Sequence, residues 1–172
     1  KCAAGTFQSS RGQQECKVCA LGGYCTKGAS SPVPCEAGRF GNRTGLKTLH
    51  ECSYCEPGSS CALGAAAMTP CSPGSIAPVA RYAAVLARAL PASSLARCEP
   101  CEPGQFQDVE GQVVCKPCSR GGYCVAGAAS ASPCPAGTYG GAEHATGVAD
   151  CTACKSGMSC PVGSTEETPC SA

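Results

Sequence analysis

The chain has 172 residues, 19 of them cysteine, with no Trp, 3 Phe, 5 Tyr and a formal net charge of +1. So much cysteine beside so few large apolar side chains excludes an ordinary hydrophobic core and calls for covalent cross-links instead. The balanced charge, with no basic stripe, argues against nucleic acid, and no apolar run approaches the roughly 18 residues of a membrane span.

From Cys2 to Cys71, nine cysteines are spaced at 14, 3, 6, 10, 17, 3, 6 and 10 residues, and the same spacing recurs from Cys101 to Cys170 at an offset of 99. The two stretches share 30 of 70 positions, among them Gly5/Gly104, Gly22/Gly121, Gly38/Gly137 and Gly58/Gly157. Repeated glycines mark backbone that needs positive φ or close approach. Periods of this length mark linear arrays in which each unit contacts its neighbours.

Each copy holds two modules of the form C-x-x-G-x-[FY], a variable loop, C-x-x-C, then x-x-G-x-x-C. Module 1 covers 2–34 and module 2 covers 35–70. Within module 1, residues 5–8 are expected to open a short hairpin. The third module, 71–100, is truncated to Cys71 and Cys98. Its stretch 79–90 (VARYAAVLARAL) lies between Pro78 and Pro91 and predicts a helical insertion over about 78–90. Val79, Tyr82, Leu86 and Leu90 fall on one face of it. The insertion reads either as an addition packed on neighbouring modules or as a docking helix for a partner subunit. Module 4 is 101–133, with a first strand in 105–109 and its return in 113–115. Module 5 is 134–169, and residues 170–172 begin a further module.

Two pairing schemes fit the cysteines. A sequential scheme gives Cys2–Cys16, Cys19–Cys25, Cys35–Cys52, Cys55–Cys61, Cys101–Cys115, Cys118–Cys124, Cys134–Cys151 and Cys154–Cys160. A crossed scheme joins first to third and second to fourth. Both leave Cys71 to Cys98. Cys170 is the odd one. It stands in an opening position, so its partner is expected beyond Ala172. With Lys1 followed at once by Cys2, the chain reads as a segment of a longer exported protein.

The run from Cys101 to Phe106 (CEPGQF), followed by Cys115-Lys-Pro-Cys118 and Ser-Arg-Gly-Gly-Tyr-Cys124, resembles the cysteine-rich repeat of ephrin-receptor ectodomains. It is also similar to growth-factor-like and tumour necrosis factor receptor modules. The resemblance covers most of the chain outside 76–97. It implies core-poor modules joined end to end and brings no catalytic residues. The expected fold is therefore small and disulfide-rich: a linear array of irregular β-hairpin modules forming an elongated rod, with one helical insertion.

Four C-x-x-C pairs invite a zinc reading. Each, however, is embedded in a four-cysteine module, and His50 and His144 are not equivalent at the 99-residue offset, so no metal or other cofactor is expected. A thioredoxin-like role lacks its βαβ context. Cys/His catalysis needs a free thiolate, and the counterpart of Cys52 is Cys151, with Ala149 where His50 stands. Asn42-Arg43-Thr44 is a sequon, so an N-linked glycan is expected at Asn42. The variable loops 9–15, 42–51, 108–114 and 140–150 are natural contact surfaces. The expected protein is a non-enzymatic extracellular or cell-surface scaffold, structural or adhesive, in a surface, matrix or filament assembly. Its partners would be other subunits or copies of the same chain. The alternative is a ligand-binding or spacer ectodomain of a receptor.

Overall fold

A computed structural model describes residues 1–170. The chain forms two compact units, Lys1–Cys71 with Ala77–Cys98, and Ser72–Ile76 with the residues from Glu99 onward. The smallest repeating element is half of a four-cysteine module: a Cys, two residues, a Gly, and a two-residue strand that pairs with a second strand further on.

In the first unit β1 (Thr6–Phe7) pairs with β2 (Lys17–Val18), β3 (Gly23–Tyr24) with β4 (Val33–Pro34), β5 (Arg39–Phe40) with β6 (Ser53–Tyr54), and β7 (Ser59–Ser60) with β8 (Thr69–Pro70). In the second, β9 (Ser75–Ile76) pairs with β10 (Glu99–Pro100), β11 (Gln105–Phe106) with β12 (Lys116–Pro117), β13 (Gly122–Tyr123) with β14 (Ser132–Pro133), β15 (Thr138–Tyr139) with β16 (Thr152–Ala153), and β17 (Met158–Ser159) with β18 (Thr168–Pro169). All are antiparallel. An isolated two-stranded hairpin is marginal in water even at greater length, so each of these needs support from outside itself.

Part of that support is the backbone of the next hairpin in the same unit. Gly22 donates its N–H to the C=O of Gly41 and accepts from the N–H of Cys35, both at 2.8 Å. Gly5 makes the same two bonds to Cys25 and Cys19, Gly38 to Cys61 and Cys55, Gly104 to Cys124 and Cys118, and Gly137 to Cys160 and Cys154. The acceptor in each of these pairs lies six residues after the first cysteine of the next half-module, so hairpins of different loop length join by one rule. Gly22 has φ +77, and a Cβ there would stand 2.2 Å from the Gly64 carbonyl oxygen. Only glycine admits both the left-handed backbone and that approach.

Disulfides supply the rest. Among the described residues, thirteen of the nineteen buried apolar residues are cysteines, so sulfur stands where aliphatic side chains fill an ordinary core. The hairpin opened by Gln105–Phe106 returns at Lys116–Pro117, not at 113–115 as the sequence led us to expect. Gln107 explains the shift. Its amide donates to the Val114 C=O (2.8 Å) and accepts from the Val109 N–H (3.1 Å), which holds 108–114 as a loop.

The helix α1 spans Val79–Leu86, shorter than the expected 78–90. Arg88 takes φ +60, its N–H bonds the Val85 C=O, and Ala89 bonds the Ala84 C=O. This is a left-handed C-terminal cap with arginine where glycine is usual. A 3₁₀ turn, Ala92–Leu95, follows.

Candidate functional site in the loop between Cys71 and Cys98

The nine disulfides join Cys2–Cys16, Cys19–Cys25, Cys35–Cys52, Cys55–Cys61, Cys71–Cys98, Cys101–Cys115, Cys118–Cys124, Cys134–Cys151 and Cys154–Cys160. Cα separations run from 5.7 Å at Cys71–Cys98 to 6.4 Å at Cys154–Cys160, within disulfide reach. The crossed scheme does not occur. Cys170 is exposed and has no disulfide partner among the described residues, although its N–H bonds the Gly157 C=O as an opening cysteine does.

The Cys71–Cys98 loop is the longest of the nine and the one that carries a helix. Its inner side packs on the first unit. Val85 and Leu95 are buried in one cluster with Phe40, Cys55 and Cys61, with Tyr54, Ala65, Met68 and Tyr82 against it. The inward helix residue is thus Val85; of the Val79, Tyr82, Leu86 and Leu90 face that the sequence suggests, Tyr82 packs beside it, whereas the other three are exposed. Leu95 accepts from the Cys61 N–H (3.1 Å). Arg81 donates to the C=O groups of Ser94 (3.2 Å) and Arg97 (3.4 Å), tying α1 to the 3₁₀ turn. Below, the Arg39 guanidinium lies 3.8 Å from the Tyr54 ring centroid, bonds that residue's hydroxyl and donates to the Cys52 C=O (3.0 Å).

The second copy has a different bed. Phe40, Tyr54, Ala65, Met68 and Arg39 are matched by Tyr139, Ala153, Ser164, Glu167 and Thr138. One aromatic ring is kept as Tyr139, but Tyr54, Ala65 and Met68 give way to smaller or polar groups. A Cβ at Gly38 would meet Ala92 and Leu95, whereas one at Gly137 meets nothing within 4 Å. Insertion and bed therefore belong together in the first unit.

The outer side of the loop is open. Val79, Leu86 and Leu90 are 54%, 52% and 42% exposed. A cavity of about 380 Å³ is lined by Arg81, Leu90, Ser93, Ser94 and Arg97. From Ser72 to Cys98 the chain has three arginines and no Asp or Glu.

Asn42, Arg43 and Thr44 are all exposed on the loop after β5, outside any strand. That loop is stitched by Glu51, whose carboxylate accepts from the Lys47 N–H (2.9 Å). Its counterpart Asp150 accepts from the N–H of Thr146 (2.7 Å), the Thr146 hydroxyl and the Gly147 N–H, and these bonds hold its carboxyl below the usual range. Gln8 repeats the role of Gln107, donating to the Glu15 C=O (2.6 Å). Cysteine and glycine spacing does not mark these residues, although Gln8/Gln107 and Glu51/Asp150 each keep their chemistry across the 99-residue offset.

His50 sits exposed in a 3₁₀ turn, and exposed His144 occupies the left-handed position of Gly45. Among the described residues no three His, Cys, Asp or Glu groups gather to hold a metal, and no helix is long and apolar enough to cross a membrane. Residues 90–131 match the family profile described as tyrosine-protein kinase ephrin type A/B receptor-like. The chain carries an ephrin-receptor-like cysteine-rich repeat. The matched residues include β11 to β13 and two of the nine disulfides, Cys101–Cys115 and Cys118–Cys124. An ephrin-receptor-like repeat is not a catalytic domain. With nine disulfides it points to an oxidising, extracellular setting. No curated protein matches the chain.

Proposed function

We propose that the chain is a non-enzymatic extracellular scaffold segment, structural or adhesive, built as a disulfide-stapled rod within a larger surface, matrix or filament assembly. One observation carries this reading: the same hairpin, with the same two glycine bonds to the next, recurs through each unit with a disulfide for every hairpin. Such a chain resists unfolding locally, because each staple restricts its own segment of the unfolded state. Its partners are other subunits or further copies of the chain. Small-angle scattering tests the rod. A globule of this length has a radius of gyration of about 16 Å, and a clearly larger value is expected. A value near 16 Å rejects it.

A second reading, the ligand-binding or spacer ectodomain of a receptor, is favoured by the description of the matched family. A membrane span and a cytoplasmic signalling domain in the same gene product would decide for it. In either reading Asn42 carries an N-linked glycan, supported by the exposure of the whole sequon. Chain secreted from eukaryotic cells should lose mass on N-glycosidase treatment, and Asn42→Gln should abolish that loss. An unchanged mass on treatment rules the glycan out.

A further inference from the structure

We propose that the outer face of the Cys71–Cys98 loop docks an acidic, amphipathic segment of a protein partner. The inference extends the scaffold reading and fails separately from it, since scattering tests the array and peptide binding tests this one face.

The loop has two sides of different fate. The inner side, Val85, Leu95 and half-buried Tyr82, is committed to the first unit. The outer side presents Val79, Ala83 and Leu86 along one helical stripe at positions i, i+4 and i+7, all exposed, with Leu90 just beyond. An insertion whose only role is to cover its bed has no use for branched apolar side chains on its far side.

Charge identifies the partner. Exposed Arg88 follows the stripe directly, and Arg97 lines the cavity beside Leu90. The loop between Ser72 and Cys98 carries no Asp or Glu of its own. Apolar side chains flanked by exposed guanidinium groups complement a segment with Leu-like residues on one face and Asp or Glu beside them. Arginine takes up carboxylates in bidentate fashion, and such complementarity sets partner choice.

The helix end adds a separate argument. Sixteen glycines take positive φ among the described residues, against two other residues, Arg88 and His144. A chain so ready to place glycine at left-handed positions keeps arginine at the end of α1, at a conformational cost. Such outliers point to function.

The test uses the whole oxidised chain and two labelled synthetic helical peptides. One has Leu on one face and Glu on the other, and its twin has Lys for Glu. Fluorescence anisotropy should show the Glu peptide binding at least tenfold more tightly than the Lys twin, with the preference shrinking as salt rises. Leu86→Ser and Arg88→Glu should each weaken it at least fivefold, while Arg43→Glu, on a distant loop, leaves it unchanged. Arg88→Gly separates docking from packing: it relieves the left-handed strain, so the chain should melt higher yet bind the Glu peptide less well. Equal binding of both peptides, binding of neither, or variants that bind like the parent chain would overturn the proposal. So would sedimentation showing that the chain pairs with itself through Leu86, which would make a second copy the occupant.

Discussion

A methyl group at Gly38 has nowhere to go. It would lie 1.6 Å from the Ala92 carbonyl oxygen and 3.3 Å from the Leu95 Cβ, on backbone at φ +87. Its counterpart Gly137 has φ +82 but nothing within 4 Å of an added Cβ. The two positions share a backbone requirement and differ in a neighbour. Gly137→Ala should therefore cost about 1–2 kcal/mol, the strain of a left-handed alanine. Gly38→Ala should cost distinctly more, because the 92–95 turn must also lift away. Chemical denaturation gives the two losses, and hydrogen exchange at the Cys61 amide reports whether its bond to Leu95 survives. Equal losses would mean that the insertion rests only loosely on its bed.

At the scale of the element, no hairpin here is held by strand pairing alone. Two-residue strands offer too few ladder bonds, so the loops are tied from within. Asp150 shows how, with three donors from Thr146 and Gly147 around one carboxylate. These bonds favour the ionised form and hold its carboxyl below the usual range. A depressed carboxylate adds stability above its unfolded value, near 3.9. That contribution is lost as pH falls through the lower folded value. The amide signals of Thr146 and Gly147 should accordingly titrate with a midpoint below about 3.9, and Asp150→Asn should remove the transition. A midpoint at the ordinary aspartate value would show that the stitch is not formed in solution. The group is fully exposed, so the effect is local opening of the loop rather than unfolding of the unit.

At the scale of the molecule, the staples differ in span and so in weight. Cys71–Cys98 closes 27 residues, whereas Cys118–Cys124 closes 6. On the chain-entropy account the first is worth roughly 3.5 kcal/mol and the second about 2 kcal/mol. Replacing Cys71 and Cys98 together by serine should thus destabilise the first unit more than the equivalent change at Cys118 and Cys124 does the second. It should also open α1 to proteolysis while the second unit keeps its protection. Limited digestion with mass mapping checks this, and cleavage spread evenly over both units would contradict it.

Cysteine and glycine spacing alone determined the architecture of this protein, because both residues act where they stand. A disulfide spans only about 6 Å between the two Cα atoms, and a left-handed turn favours glycine whatever surrounds it. The array of stapled hairpins and the ephrin-receptor-like repeat were legible for that reason. The tertiary structure alone decided what depends on neighbours distant in sequence. It chose the sequential cysteine pairing over the crossed one, which spacing leaves open. It ended α1 at Leu86 through the turn at Arg88, which helix propensity over 79–90 does not reveal. It turned Val85 inward because Phe40 and Leu95 stand there, a contact between segments 45 residues and 10 residues away in the chain. It also gave Gln107 its task, the bond to the Val114 carbonyl across the loop that Cys101–Cys115 closes.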